Sequence, residues 1–307
     1  AAGRSIRGIA RGLGRSPSTI CREIRRNGGS QAYRATRADK HAWDRALRPK
    51  RCRLACHGQL RWRVAQKLAL QWSPEQISGW LRRQFPSDQS MRISHEAIYR
   101  SLFIQSRGVL KKELTVHLRT KRQMRHAKGA KTRTGQGQIL DMVSIRERPA
   151  EAEDRAIPGH WEGDLLTGAN DTHIATLVER HSRFTMLVKV TRKDSATVVA
   201  ALAKQIRRLP EALRRSLTWD QGKEMAGHKS FTIATDVEVY FCDPRSPWQR
   251  GSNENTNGLL RQYLPRGTNL AHISQNQLNA IALRLNQRPR KTLGFETPAD
   301  RLRAVLR

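Results

Sequence analysis

The sequence predicts a basic, all-α region followed by an α/β domain with a mixed five-stranded sheet. Apolar residues at helical spacing dominate the first 105 or so residues, and β-branched, strand-like runs begin only after Pro158. Between these regions, residues 111–138 are basic and contain few apolar residues. We therefore divide the chain into a first helical region (1–50), a second helical module (51–110), a basic linker (111–150) and the α/β domain (151–307).

Residues 5–26 have the spacing of a helix-turn-helix. The first helix has an apolar face made of Ile6, Ile9, Ala10 and Leu13. Gly14 can end this helix, and Ser16 followed by Pro17 is typical of the start of the next one. An ordinary helical hairpin is the alternative interpretation. The chain begins without Met, directly ahead of this pattern, so we expect a truncated N-terminus.

The second helix of this motif has an outward face suited to phosphates and base edges. We expect DNA contacts from Ser18, Thr19, Arg22, Arg25 and Arg26. The next helical module carries helix starts at Ser73-Pro74 and Ser94, and is either a second helix-turn-helix or a helical spacer. Cys52, Cys56 and His57 resemble half a zinc site, but no second pair follows at finger spacing, so reduced thiols are the better interpretation.

The α/β domain is predicted from a run of alternating strand and helix patterns. Strands are expected at 161–166, 172–180, 184–191, 217–220 and 237–242, and helices at 195–208, 247–263 and 275–286. With a further helix between the last two strands, the order is three strands, helix, strand, helix, strand, helix. That order is the order of an RNase H-like domain.

The charge balance indicates a polyanionic partner. Lys and Arg number 58 against 26 Asp and Glu, a net charge of +32. Nucleic acid is the usual partner of such a chain, while membrane-surface helices and ribosomal proteins are the alternatives. No apolar run approaches the roughly 18 residues that span a bilayer, and no signal-peptide pattern opens the chain, so we expect a cytoplasmic protein.

Three carboxylates are expected to converge in the α/β domain. Asp164 lies in the first strand, Asp220 ends the fourth strand, and Glu254 lies on the helix that follows the fifth. In the predicted fold the first and fourth strands are neighbours, and that helix crosses their ends. Hard oxygen ligands of this kind suit two Mg²⁺ ions roughly 4 Å apart, which can serve both sides of a phosphodiester cleavage.

Other interpretations of these acids stay open. Glu162 faces the same side of its strand as Asp164, and is either a neighbour of the site or the true ligand. Glu224 follows Asp220 by four residues and could replace it. Any single acid could also be an ordinary solvated surface carboxylate.

The chain resembles the DDE transposases of bacterial insertion sequences, specifically the insertion-sequence-thirty family. The matching stretches begin at Arg15 (Arg-Ser-Pro-Ser-Thr-Ile), Arg22 (Arg-Glu-Ile-Arg-Arg-Asn), Trp72 (Trp-Ser-Pro-Glu-Gln-Ile), Pro158 (Pro-Gly-His-Trp-Glu-Gly-Asp), Thr218 (Thr-Trp-Asp-Gln-Gly-Lys-Glu), Arg245 (Arg-Ser-Pro-Trp-Gln-Arg-Gly-Ser-Asn-Glu-Asn) and Asn286 (Asn-Gln-Arg-Pro-Arg-Lys-Thr-Leu-Gly). They cover nearly the whole chain, and the 33 residues between Asp220 and Glu254 fit that family.

This resemblance implies a nucleoid-associated enzyme that binds the terminal inverted repeats of an insertion sequence. It implies catalytic and metal-binding roles for Asp164, Asp220 and Glu254, with Mg²⁺ as cofactor, for which Mn²⁺ can substitute. We expect cleavage at the element's ends by activated water, followed by attack of the freed 3′-hydroxyl on target DNA. Double-stranded DNA is then the partner, and pairing two ends implies a homo-oligomer.

Two other functions remain possible from the sequence. A DNA-binding regulator or disabled remnant would keep the helix-turn-helix without the chemistry. A retroviral-type integrase would share the core, although such proteins usually begin with a His/Cys zinc module.

A stripe of residues on the helix of Glu254 is predicted to contact the scissile strand. Arg250, Asn257 and Arg261 lie at i−4, i+3 and i+7 from Glu254 and so share its helical face. A solvated basic face is the alternative.

Overall fold

The computed structural model describes residues 5–46, 52–103, 114, 117, 139, 141–152, 155–244 and 246–306. The chain forms two compact units, Ala1–Cys52 and Arg53–Arg307. Most of the predicted linker, from 111 to 138, lies outside the described residues apart from positions 114 and 117.

The N-terminal unit consists of short helices, as the sequence predicts. They are α1 (Ile6–Gly12), α2 (Pro17–Arg26), α3 (Gly29–Ala32) and α4 (Ala35–Ala46). Between α1 and α2, Gly14 has a φ of +58°, a left-handed conformation that L-residues with a side chain rarely adopt. The Ser16 hydroxyl then accepts a hydrogen bond from the amide of Thr19 and so caps α2. The helix-turn-helix prediction is confirmed.

The second helical module packs against the end of the α/β domain. It contains α5 (Arg53–Cys56), α6 (Gly58–Ala69), α7 (Pro74–Gln84) and α8 (His95–Phe103). Glu75, in the first turn of α7, forms an ion pair of 2.7 Å with Lys291. Gly79 lies against the ring of Phe295, so closely that a β-carbon would overlap it. This module is therefore fixed to the α/β domain at the start of α7.

The sheet has the predicted mixed topology, with strand order β3-β2-β1-β4-β5. The strands are β1 (His160–Thr167), β2 (His173–Glu179), β3 (Thr185–Val190), β4 (Ser216–Trp219) and β5 (Glu238–Phe241). Strands β1, β2 and β3 pair antiparallel, whereas β4 is parallel to both β1 and β5. The predicted adjacency of the first and fourth strands is confirmed.

Helices cover both faces of the sheet. On one face, α9 (Ser195–Ile206) and α10 (His228–Thr235) pack over a core that includes Trp161 and Trp219. On the other, α11 (Gly251–Leu260) and α12 (Gln275–Asn286) pack over a second apolar cluster, and α13 (Pro298–Val305) ends the described chain. Helix α10 is the helix expected between the last two strands, for which the sequence pattern set no bounds.

Two expected boundaries differ from the structure. The helix predicted at 247–263 begins as a 3₁₀ turn at Pro247–Arg250, and its α-helical part spans only Gly251–Leu260. Residues 141–150, assigned to the linker, lie instead along β5, where the Phe241 amide donates to the Val143 carbonyl at 2.9 Å. Ile145 is buried there, so apolar burial rather than solvation decides the path of this segment.

Candidate active site

Strand register brings Asp164 and Asp220 to the same edge of the sheet. The last parallel pair between β1 and β4 is Glu162 with Thr218. Asp164 and Asp220 each lie two residues beyond that pair, so the two parallel strands carry them forward side by side. The carboxyl ends of parallel strands are a common position for sites, because the loops that follow leave a crevice open.

Asp164 is half-buried and held by three neighbouring groups. Its Oδ1 accepts the amide of Leu165 at 3.0 Å, and its Oδ2 accepts the Asn257 side-chain amide at 2.8 Å. Burial raises the pKa of this carboxyl to about 6, the Arg250 guanidinium opposes that rise, and the Asp220 carboxylate adds to it. Burial therefore makes the charged form of Asp164 costly, and a nearby cation reduces that cost.

Arg250 supplies a positive charge between the two aspartates. Its Nη1 lies 3.3 Å from Asp164 Oδ1, and its Nη2 lies 3.2 Å from Asp220 Oδ2. Nη1 also donates to the Gly163 carbonyl at 3.0 Å. Burial alone would lower the pKa of Arg250, but the two aspartates raise it. One fixed guanidinium thus contacts both carboxylates.

Packing beneath the aspartates leaves no room for a side chain at Gly163. A β-carbon there would overlap the ring of Trp219, which is fully buried below the edge of the sheet. Asp220 itself is anchored at the turn after β4, where its Oδ1 accepts the amide of Gly222 at 3.1 Å. The backbone at both aspartates is therefore fixed by packing and by hydrogen bonds.

Glu254 lies in the first turn of α11, one turn beyond Arg250, and is exposed. Among the described residues, no group of three or more His, Cys, Asp or Glu side chains is arranged to hold a metal ion. The structure therefore brings Asp164 and Asp220 together but does not gather Glu254 with them. A shared metal site for all three remains a prediction.

Asn253, which the sequence analysis did not single out, fixes α11 to the sheet. Its side-chain Nδ2 donates to the Glu162 carbonyl at 2.9 Å, and its Oδ1 accepts from the Thr176 hydroxyl at 2.9 Å. Its backbone amide donates to Glu162 Oε2 at 2.9 Å. The next residue is Glu254, so these bonds also fix the backbone position from which the Glu254 side chain extends. Only its place in the Ser-Asn-Glu-Asn string could have drawn attention to it.

The two acids kept as alternatives have other partners. Glu162 is fully buried, and its Oε1 forms an ion pair of 2.9 Å with Arg180. Glu224 is buried, and its Oε1 lies 3.5 Å from the indole nitrogen of Trp219. Both carboxylates are thus used within the fold, which favours Asp164 and Asp220 as the site residues.

Two residues of the predicted stripe, Arg250 and Asn257, contact the aspartates. Asn257 donates to Asp164, while its own Oδ1 is buried without a partner in the described structure. Arg261 donates from Nη2 to the Thr167 carbonyl at 3.1 Å. Arg250 contacts the aspartates directly, at the position where the sequence analysis expected a contact with DNA. Whether any of these residues contacts DNA remains a prediction.

In the N-terminal unit, the predicted DNA-facing residues lie on one exposed side of α2. The exposed side chains are those of Ser18, Thr19, Arg22, Arg25 and Arg26. Ile20 and Ile24 are half-buried on the opposite side, and Ala10 of α1 is buried. The basic face is thus free to meet a partner, although its contacts with DNA remain predicted. In the described part of the chain, no helix is long and apolar enough to cross a membrane.

Family models match both parts of this architecture. Residues 1–27 match a helix-turn-helix domain, and residues 154–247 match an integrase core domain. The second match contains Asp164 and Asp220 and ends at Pro247, the first residue of the 3₁₀ turn that leads into α11. Among solved structures, the catalytic core of BIV integrase is similar at 20% identity and a TM-score of 0.36, covering 48% of this chain and 96% of that one.

Curated relatives extend over almost the whole chain. The transposase InsI for insertion sequence element IS30A of Escherichia coli is 50% identical over 96% of this chain and 78% of its own length. The transposase for IS1086 of Cupriavidus metallidurans is 47% identical, covering 98% and 90%. The transposase for IS4351 of Bacteroides fragilis is 34% identical, covering 98% and 91%. With a helix-turn-helix, an integrase core and identities of this size over nearly every residue, the chain belongs to the IS30 family of transposases.

Proposed function

We propose that this transposase uses Asp164, Asp220 and Glu254 to bind divalent metal ions, and that it cleaves DNA at the ends of its element and joins them to target DNA. The observation that carries the proposal is the pair of aspartates, side by side at the ends of two parallel strands. Both contact one guanidinium, at the start of the helix that carries Glu254.

The side chains present fit a hard divalent cation. Asp164 and Asp220 offer carboxylate oxygens, the donors that Mg²⁺ and Mn²⁺ prefer. The raised pKa of Asp164, caused by burial, means that a cation bound there would recover part of the cost of keeping it charged. Glu254 is exposed on the same side of α11 as Arg250 and could complete the ligand set by rotating its side chain.

Bound metal ions would activate the attacking oxygen and neutralise charge on the leaving oxygen of the phosphodiester. The protein's own residues would position the DNA. Asn257 would orient Asp164 through its amide, and Asn253 would hold α11 at a fixed distance from the sheet. The exposed face of α2 would bind the terminal inverted repeats, and the two reactions would need no covalent protein intermediate.

The same residues explain why one site can serve both reactions. Hydrolysis and strand transfer differ only in the attacking oxygen, which belongs to water in the first and to a DNA 3′-hydroxyl in the second. In both reactions the negatively charged phosphate would lie against cations that the two carboxylates would hold. Because two DNA ends must be joined together, we also expect at least two copies of the chain to act on DNA.

The test is a cleavage and strand-transfer assay with Mg²⁺ on DNA carrying the ends of the element that encodes this chain. We expect Asp220→Asn and Glu254→Gln each to reduce the rate by at least about 10³-fold, since loss of a group that acts only in the transition state removes roughly 4 kcal/mol. Matched controls are Asp236→Asn and Glu211→Gln, which change exposed carboxylates elsewhere in the same domain.

The controls should keep the wild-type rate and the wild-type affinity for DNA ends. Full activity in Asp220→Asn would overturn the metal-site proposal. End binding without any metal-dependent cleavage in the wild type would favour a DNA-binding regulator. Trapping a covalent protein–DNA adduct at a Ser or Tyr would refute the proposed chemistry.

A further inference from the structure

A basic pocket lies beside α11, on the opposite side of the helix from the aspartates. It has a volume of about 280 Å³, and its guanidinium groups come from three different parts of the chain, namely Arg155, Arg183 and Arg290. Ser252 and Thr256 of α11 line the same pocket. Positions 252 and 256 are one turn apart and face away from Arg250, Asn257 and Arg261.

Folded structure holds this pocket in place. Arg183 lies in the turn between β2 and β3 with a φ of +62°, and its Nη1 donates to the Ser252 hydroxyl. Arg290 is buried at the end of α12, where its Nη2 donates to the Leu285 carbonyl at 3.2 Å. The Thr256 hydroxyl donates to the Ser252 carbonyl at 2.9 Å. The Arg183 guanidinium is therefore held against α11 and the Arg290 guanidinium against the end of α12.

The charged side chains that line the pocket, among the residues that the structure describes, are all arginines. Burial lowers the pKa of Arg183, the neighbouring Arg155 lowers it further, and Glu162 and Glu179 only partly oppose these effects. No acid lines the pocket among the described residues. Glu162 is already bonded to Arg180, and Glu179 accepts from the amides of its own turn. Crowded guanidiniums of this kind favour an anion.

The lining also indicates which anion. Guanidinium forks and hydroxyl groups are the donors that bind phosphate oxygens. No aromatic ring on which a base could stack lines the described pocket, so a nucleotide base has no partner there. Arg155 and Thr292 are exposed at the rim, which leaves the pocket open to a long polymer. A phosphate within a DNA backbone fits these features.

The surface next to the pocket indicates the path that a bound DNA strand would take. Asn255, the residue after Glu254, lines this pocket and also a second cavity of about 210 Å³. That second cavity continues past Arg290 and Lys291 to the start of α7. A DNA strand seated in the basic pocket would therefore run past Asn255, which follows Glu254 in the sequence. It would then continue toward the second helical module.

We infer that the pocket formed by Arg155, Arg183, Arg290, Ser252, Thr256 and Thr292 binds a backbone phosphate of DNA, on the side of α11 opposite the two aspartates. The inference rests on the proposed function, because it assigns the pocket to the DNA that the transposase cuts or joins. It concerns binding alone, so it can be tested without metal and without any chemical step.

The test uses the full chain in EDTA and measures DNA affinity by fluorescence anisotropy over a range of salt concentrations. The variant Arg155→Gln/Arg183→Gln removes two charges from the pocket. Loss of one phosphate contact should reduce the slope of log K against log salt by about 0.9, and weaken binding by roughly eightfold near 0.1 M salt. The matched control, Arg207→Gln/Arg208→Gln, removes the same charge from exposed residues at the end of α9.

Two duplexes distinguish the source of the phosphate. A loss on the terminal-repeat duplex alone would place the element's end in the pocket, and an equal loss on an unrelated duplex would indicate contact with any DNA backbone. Both outcomes support the inference. Unchanged affinity and slope on both duplexes, or an equal loss in the control variant, would overturn it.

A second variant keeps the test decisive if the double variant fails to fold. Thr292→Glu places a negative charge at the exposed rim and removes no arginine. We expect it to weaken DNA binding more than Gln205→Glu, which adds the same charge on α9. Equal effects of the two would refute the pocket. Loss of metal-dependent cleavage in Asp220→Asn is a separate result, so failure of either proposal can be recognised by itself.

Discussion

Replacing Glu162 by Gln tests whether this acid belongs to the fold or to the metal site. Glu162 and Arg180 form an ion pair at 2.9 Å in which the side chains are 0% and 5% exposed. Glu162 accepts from Arg180 with one oxygen and from the Asn253 amide with the other, whereas Gln has a single acceptor oxygen and no charge. An arginine buried without its counter-charge is a strongly destabilising arrangement.

The expected loss can be estimated from the burial of the pair. Breaking a fully buried ion pair by removing one partner costs about 3–5 kcal/mol of folding free energy. The glutamine oxygen can accept from Arg180 in place of the Asn253 amide, so the lower end of that range, about 3 kcal/mol, is the better expectation. In a domain of this size each kcal/mol lowers the melting temperature by roughly 2–4 °C, which gives a fall of about 6–12 °C.

The assay is differential scanning calorimetry of the full chain in EDTA, repeated with Mg²⁺. The control is Glu211→Gln, an exposed residue whose replacement should leave the melting temperature within about 1 °C. Arg180→Gln and the double variant complete a cycle, and the double variant should lose less than the sum of the single losses. The opposite pattern would refute the reasoning: a Glu162→Gln protein that melts normally in EDTA yet is no longer stabilised by Mg²⁺ would make Glu162 a ligand.

Three further predictions follow from burial and packing. Burial raises the pKa of Asp164 from 3.8 to about 6, so the metal-free protein should lose on the order of 2 kcal/mol of folding stability as pH rises from about 4 to about 6. Asp164→Asn should remove that loss of stability in EDTA melts, and an unchanged pH profile of the melting temperature would contradict the reasoning. Gly79→Ala should lower the free energy of unfolding by about 1–3 kcal/mol because the new methyl overlaps Phe295, whereas Gly58→Ala, with open space around it, should not. Equal urea midpoints for the two variants would disprove the packing argument. Burial raises the pKa of Cys242 to about 11, so this thiol should be alkylated at pH 8 at least about 100-fold more slowly than the exposed Cys21 and Cys56. Mass spectrometry measures the labelling of each cysteine, and equal labelling would show that the Cys242 thiol is accessible.

The order of strands was readable from the sequence because it depends on local patterns. Short apolar runs, rich in β-branched residues in β2 and β3, mark the strands, and their order along the chain limits the sheet to few topologies. The convergence of Asp164 and Asp220 follows from that order, since parallel neighbours end at the same edge. The capped start of α2 at Ser16 and Pro17 was equally local. Such features need no knowledge of distant contacts.

Features that depend on distant pairing were missed or left open. Nothing in the sequence says that Glu162 pairs with Arg180, eighteen residues away across a hairpin, rather than with a metal ion. The role of Asn253 depends on three bonds to strands far away in sequence. Helix α10 was expected only from the strand order, because its own sequence lacks a strong apolar stripe. Long-range complementarity of this kind appears only once the fold is assembled.

Arg250 is the residue through which metal binding and DNA binding should influence each other. Its guanidinium contacts the same two carboxylates that would hold a cation, so it competes with that cation for their charge. A DNA phosphate near the site would attract the guanidinium away from the aspartates and so favour the metal, and linkage requires the reverse effect to be equal.

The coupling can be measured by titrating Mn²⁺ and following the free ion by electron paramagnetic resonance. In the absence of DNA, Arg250→Gln should bind Mn²⁺ about tenfold more tightly than the wild type, a gain of roughly 1.4 kcal/mol. Adding DNA should then tighten Mn²⁺ binding in the wild type more than in the variant. Arg266→Gln, a change at an exposed arginine after α11, is the matched control. If Arg250→Gln instead weakened Mn²⁺ binding, the guanidinium would be a support for the ligands rather than a competitor, and the coupling through Arg250 would be wrong.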